Sequence, residues 1–382
     1  MIGLAVARSE DAPRPQYQAD GINVPAAMAH EAKRSEVSVR LAAEYLEKGT
    51  LAWNAKQNCV TCHTNGTYMV VRPVLTPQLG RPKDEVREFF VKVLKEKLAT
   101  DRETLLKSTV PGQVIYVAAG LAEWDAHVSR QLSPETDRAL RLMFDIQLDS
   151  GTWGALACWP PYESDAYHEA TVAAMAAATA PGWLADLKDA KTLAALGRLK
   201  KYLQTEAPPH DYGRSLLLWA ATRMPELVSS EQKQELIEML WKHQRPDGGW
   251  SIRTFAAPEA WGNGRRAKKL RSEPEFKSSP SDGHQTGLAI IVLREAGVDA
   301  EDPRMRRGVE WLLTNQRESG RWWTRSLNTD TYHFITYSGT AFPLRALALC
   351  NALPNSTGSG GQSPAVAPTF LPEEFVRYGS PG

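Results

Sequence analysis

No apolar run in the chain approaches the roughly 18 residues that a membrane-crossing helix needs, so none of its segments is expected to span a bilayer, although contact with a membrane surface stays open. A dominant charge sign is missing too: 45 Lys and Arg stand against 44 Asp and Glu, a formal charge of +1, which gives no long-range field to attract nucleic acid. Cysteine is scarce, and four in 382 residues are too few for a disulfide scaffold. Strand-like alternation of useful length is absent, and no Gly-rich phosphate loop follows a strand, which leaves an all-α reading. What is present, 42% hydrophobic and 23% charged residues, excludes disorder of the whole chain and suits one large helical domain or two ordinary ones.

Internal repetition is the most informative feature. An apolar helix, a Gln, a tight Gly turn and a Trp recur as Leu140 to Ile146 with Gln147, Gly151 and Trp153, as Leu236 to Leu240 with Gln244, Gly248, Gly249 and Trp250, and as Gly308 to Leu313 with Gln316, Gly320 and Trp322. Outer helices are expected to begin near Val39, Glu85, Thr136, Ala190, Ser230 and Arg304, in steps of about 46, 51, 54, 40 and 74 residues. Each is followed by a helix rich in small and apolar residues: Tyr68 to Leu79, Gln113 to Ala126, Glu169 to Ala178, Gly213 to Met224, Gln285 to Ala296 and Thr340 to Leu349. Such composition suits burial on most sides. In each unit Gln is expected to close the outer helix by hydrogen bonding, with Trp stacked on the next repeat.

These Gln-turn-Gly-X-Trp units resemble the QW motifs of squalene-hopene cyclases and their relatives. The likeness is closest from Ser230 to Leu349, where Gln285-Thr286-Gly287-Leu288-Ala289 is similar to the family's Gln-Thr-Ala helix start and Gly339-Thr340-Ala341-Phe342-Pro343 to its Gly-Thr-Gly-Phe-Pro segment. The resemblance implies an α/α toroid of about six helical hairpins, of the terpenoid cyclase and protein prenyltransferase type, around an apolar, isoprenoid-like ligand. The expected domains are an N-terminal arm, 1–35, carrying the remnant of an export signal at Ala5-Val6-Ala7; the toroid, 36–352; and a Ser/Gly/Pro-rich tail, 353–382, with a short apolar stretch at Phe370 and Leu371. A periplasmic or otherwise exported location follows from that start.

The cyclase reaction does not transfer with the fold. Class II triterpene cyclases start a carbocation from a strong, desolvated acid in an Asp-X-Asp-Asp stretch, and this chain has none. The candidate replacements are Asp165, His168 and Glu169 within Tyr162 to Thr171, and Asp282 with His284; both put an imidazole, which would take a proton, beside the acid. His168-Glu169 is also half of a zinc-protease motif, but Val172 stands in the place of the second His.

Cys59-Val60-Thr61-Cys62-His63 has the spacing of covalent haem c attachment, with Cys59 and Cys62 as the thioether sites and His63 as the iron ligand. Gln57 occupies the repeat's Gln position, so this triplet replaces the Gly-X-Trp turn. Zinc, a disulfide and an inert pair are the alternatives. Met69 lies too near His63 in sequence to swing across an iron. His63, His168, His210, His284 and His333 all precede inner helices and so share one rim, together with Asp211, Tyr162, Tyr332 and Tyr337. From these, His63, His210 and His333 are the candidate metal ligands. Protein prenyltransferases place zinc through Asp, Cys and His near such starts, but Cys158 and Cys350 lie elsewhere.

Twelve Trp supply aromatic faces, with Trp153, Trp159, Trp250, Trp261, Trp322 and Trp323 near turns. Arg265, Arg266, Lys268, Lys269 and Arg271 form a basic run suited to an acidic partner or a phospholipid surface. The leading expectation is an exported cytochrome c-type toroid that binds an isoprenoid and passes electrons to a redox partner protein. The alternatives are an isoprenoid cyclase or prenyltransferase-like enzyme using a non-standard acid, or a non-catalytic scaffold.

Overall fold

A computed structural model describes residues 14–154, 160–162 and 165–354. The export-like start, Cys158, Trp159 and the apolar stretch at Phe370 and Leu371 lie outside the described residues.

Among the described residues the fold is all-helical apart from one small hairpin, β1 (Tyr17–Ala19) and β2 (Ile22–Val24). Helices come in two kinds that alternate along the chain. One kind comprises α1 (Val39–Gln57), α3 (Asp84–Leu98), α5 (Pro134–Asp145), α7 (Ala190–Thr205), α9 (Ser230–Lys242) and α11 (Pro303–Asn315). Their apolar residues follow the helical period, so one stripe is buried; in α5 this is Thr136, Ala139, Leu140, Met143 and Phe144. Ser133 caps α5 by accepting from Thr136 N at 3.3 Å, with Pro134 at the first helical position.

The other kind is α2 (Thr67–Val71), α4 (Val110–Trp124), α6 (Ala166–Thr179), α8 (Asp211–Ala221), α10 (Gly283–Glu295) and α12 (Ile335–Leu349). These are buried on nearly every side; Leu288, Ile290, Ile291, Val292 and Leu293 of α10 have no exposed surface. Each such side chain contributes about 1.5–3 kcal/mol by leaving water. The expected helix from Tyr68 to Leu79 is broken after Val71, because Pro73 cannot continue the hydrogen-bond ladder; short helical turns follow at Pro73–Leu75 and Thr76–Leu79. The last of these helices begins at Ile335, five residues before the expected Thr340, and carries Pro343 inside it. Pro343 cannot donate to Gly339 O, and Gly283 of α10 approaches that carbonyl so closely that an added Cβ would sit 2.4 Å away.

The repeat unit has the same hydrogen bonds in each of its three copies. The indoles of Trp153, Trp250 and Trp322 donate to Met143 O, Leu240 O and Leu312 O at 2.7, 2.7 and 2.8 Å. Trp, rather than Gln, therefore bonds a carbonyl in the last turn of the preceding helix; Leu240 O accepts from His243 N as well. The Gln amides of 147, 244 and 316 bond Gly151 O, Gly248 O and Gly320 O at 3.0, 2.8 and 2.9 Å and so close the turn. Those glycines have φ of 90°, 92° and 85°, and a Cβ on each would lie 2.5 Å from Arg198 O of α7, Arg307 O of α11 and Leu41 Cβ of α1 respectively. Two requirements coincide there, a left-handed backbone and close approach to the next helix.

The buried helices contact one another in sequence, α2 with α4, α4 with α6, α6 with α8, α8 with α10 and α10 with α12, and α12 also contacts α2. Residues 14–35 join the two ends of the helical array. Arg34 N donates to Gln316 O at 2.8 Å, Glu318 N to Ala32 O at 2.9 Å, and the Gln16 amide to Tyr332 O and His333 O at 2.9 and 3.0 Å.

Candidate functional site

The starts of the buried helices are fixed by side-chain caps, and several expected catalytic residues turn out to be those caps. Asp165 accepts from His168 N at 2.8 Å to begin α6, and His210 Nδ1 accepts from Gly213 N at 3.0 Å to begin α8. Asp282 begins α10, accepting from Gln285 N at 3.0 Å and from Ile252 N at 2.7 Å. Burial would raise the Asp165 carboxyl, but the His210 imidazole, 3.5 Å away, and His168 outweigh it and hold the group below the ordinary range. Desolvation pushes Asp282 up to about 6. Both oxygens of Asp282 are thus engaged by the backbone, and neither acid lines the cavity described next.

Between the buried helices lies a narrow slot in which the centre of a water molecule can reach about 40 Å³. Its middle is apolar, built from Val70, Ala119, Val172, Met175, Ala176, Leu216 and Phe342. One end is a buried network of phenols and imidazoles. Tyr116 OH lies 3.1 Å from His168 Nε2, Tyr212 OH 3.2 Å from His284 Nε2, and Ser338 Oγ 2.7 Å from His284 Nδ1, with Tyr162 OH on Ser338. The Tyr116 phenol and His168 Nε2 share one hydrogen bond, and the imidazole is enclosed on every side. Burial lowers His168 to about 4 and His284 to about 3, so both rings are neutral at ordinary pH.

The opposite end is ionic. Along α4, Glu123 lies seven residues beyond Tyr116, about 10 Å at the helical rise. Burial alone would raise Glu123; Arg223, with Nη1 at 2.5 Å, and His127 at 3.2 Å reverse this and hold it at about 2. Trp219 donates to Glu295 at 2.9 Å, and Glu295 pairs with Arg345.

The structure thus gathers His168, His210, His284, Tyr162 and Tyr212 at one end. Glu169 is buried on α6 but does not line the slot. His333 stands apart, against Trp323 at 4.7 Å, with Nδ1 accepting from Ser326 N. Tyr332 stacks on Phe334 at 5.1 Å, Tyr337 bonds Leu46 O, and Asp211 pairs with His243 at 2.8 Å. Sequence reading missed Tyr116, Tyr212, Glu123, Trp219 and Arg223. Tyr116 sits inside a helix rather than before it, Tyr212 falls inside α8 because that helix begins at Asp211 and not at the expected Gly213, and the charged pair marks the far ends of α4 and α8, for which no motif stands out. The basic run is partly neutralised locally, Lys269 by Glu273 at 2.6 Å and Arg271 by Glu259 at 2.6 Å.

The expected haem c and its zinc alternative are corrected by the surroundings of Cys59, Cys62 and His63. Among the described residues no group of three or more His, Cys, Asp or Glu could hold a metal ion. Cys62 is buried in the core, and Cys59 is half-buried beside it in the sequence. The His63 ring is clamped between Phe334, stacked at 4.8 Å, and the edge of Trp53 at 4.9 Å, while Nδ1 bonds Thr64 Oγ1 at 2.9 Å. The cavity it borders offers about 10 Å³, room for one water and not for a macrocycle. A wider groove of about 410 Å³ outside is lined by Trp53 and Phe334 but not by His63 or either thiol. His63, His210 and His333 accordingly do not act as a metal set, and the iron-binding, cytochrome and metal-binding readings fall with them. Met69 is fully buried core.

Comparison with known proteins gives one family model: residues 210–352 match the squalene-hopene cyclase C-terminal domain. A squalene-hopene cyclase of Bradyrhizobium diazoefficiens is 30% identical over 119 residues, 30% of this chain. The match covers only 16% of that relative's length. The segment matched by the family model contains Trp250 and Trp322, whereas Cys59 to His63, α4 and α6 lie outside that segment.

Proposed function

We propose that the chain is a cyclase-like α/α toroid of about six helical hairpins, spanning 36–352, that holds an apolar isoprenoid-type ligand in the slot between its buried helices. The carrying observation is the slot itself, apolar through its middle and walled there by small residues such as Ala119 and Ala176. The contact of α12 with α2, and of Gly320 with α1, supports closure of the ring. His168 is a neutral base paired with a phenol, a combination suited to accepting a proton rather than to protonating an alkene.

Equilibrium binding of squalene and of shorter polyprenyl chains, followed by product analysis, tests this. Saturable binding is expected, lost by at least about tenfold in Ala176→Phe, which fills the slot; binding unchanged in that variant would overturn the proposal. A second reading, an acid-initiated cyclase, draws on the raised Asp282. A cyclic product that disappears in Asp282→Asn or Asp165→Asn would favour it.

A further inference from the structure

The ionic end of the slot serves no purpose for a pure hydrocarbon. Arg223 and Glu123 line the same cavity as Met175 and Phe342. Arg223 uses only Nη1 on described protein acceptors, Glu123 Oε1 at 2.5 Å and the Thr179 hydroxyl. Its Nε and Nη2 have no acceptor among the described residues. Trp219 holds the guanidinium in place: Arg223 lies over one side of its environment at 6.0 Å and Arg345 at 5.4 Å, with the indole N–H fixed on Glu295. The cluster's charges already balance, Arg223 with Glu123 and Arg345 with Glu295, so no anion is required to neutralise it. What remains is a rigid pair of N–H donors at the end of an apolar slot.

We infer that this end recognises an uncharged oxygen function, a hydroxyl or ketone at the end of an isoprenoid chain, through Arg223 Nε and Nη2. The inference rests on the slot being the ligand site. A hydrocarbon that displaced water from the slot would leave those donors dry, and a site built to hydrogen-bond an oxygen discriminates against the analogue that lacks it. A diphosphate or carboxylate would have to sit beside the ionised Glu123.

The test uses the full chain with three probes of equal chain length, farnesol, farnesene and farnesyl diphosphate, in equilibrium binding. Farnesol is expected to bind at least about tenfold tighter than farnesene and tighter than the diphosphate. The paired variant Glu123→Gln/Arg223→Gln removes both charges together and leaves none orphaned. Arg223→Lys keeps the charge but withdraws the fork of donors. Both variants should bring the farnesol-to-farnesene ratio close to one while farnesene affinity holds, a change that a merely structural role would not produce. Equal affinity of the two in the unaltered protein, or a ratio unmoved in Arg223→Lys, overturns the inference and leaves the apolar slot standing. Preference for the diphosphate overturns its uncharged character. Failure of all three probes to bind removes the slot reading itself.

Discussion

At the scale of single residues the site is governed by desolvation. His63, His168 and His284 are buried, and burial lowers them to about 3, 4 and 3. Between those values and the ordinary imidazole value the unfolded chain binds protons that the folded chain does not. Stability is therefore full above pH about 6.5 and is lost as pH falls toward 4. Asp282, raised to about 6, acts oppositely and weakens the folded state as pH rises through that window. Replacing His284 by Gln should remove about one proton from the acid limb, close to 1.4 kcal/mol per pH unit. Denaturant melts at pH 4.5, 5.5 and 6.5 read this slope, and an unchanged slope would mean that the ring is protonated in the folded state. The same burial explains why His63 was misleading in the sequence: a Cys-X-X-Cys-His string states spacing, but whether a space opens beside the imidazole depends on Phe334 and Trp53, from distant and near segments.

At the scale of elements, the repeat unit is a hydrogen-bonding device. The three tryptophans make one bond of the same kind, and Trp153→Phe and Trp322→Phe should each cost about 1–3 kcal/mol for the orphaned carbonyl in thermal or denaturant unfolding. Trp250→Phe should cost less, because Leu240 O also accepts from His243 N at 3.2 Å; an equal or larger cost at Trp250 would show that this carbonyl depends on the indole. Gly320→Ala should cost more than typical surface changes, because the left-handed backbone and the contact with Leu41 are both violated. Helix starts were legible because capping and Pro placement are local: Val39, Ala190 and Ser230 were expected as the first residues of α1, α7 and α9 and are so. The β-hairpin was missed although Asp20-Gly21 between Tyr17 and Ile22 is a strong turn signal, since its strands are only three residues long.

At the scale of the whole molecule, the ends of the chain's helical array are held together by residues 14–35 and by Gln316, which accepts from Ser38 N at 2.6 Å and donates to Ser38 O at 3.1 Å. Arg321 adds bonds to Pro25 O at 2.9 Å and Ala26 O at 3.2 Å. Deleting residues 1–34 should therefore lower the melting temperature by several degrees or more and broaden the transition, as the seam between α1 and the 316–333 segment opens. A melt indistinguishable from that of the full chain would mean that the arm is not a latch.

The sequence by itself determined what is local: helical class, the alternation of half-buried with fully buried helices, the repeat turn with its Gln, Gly and Trp, and the absence of the protonating motif. All of these follow from periodicity, capping and backbone conformation over a few residues. Only the tertiary structure decided which polar residues meet. Tyr116 reaches His168, Tyr212 reaches His284 and Arg223 reaches Glu123 because small residues let separate helices approach around one slot. It likewise enclosed Cys62 and His63 in the core, since burial, unlike spacing, is set by every element that packs against a site.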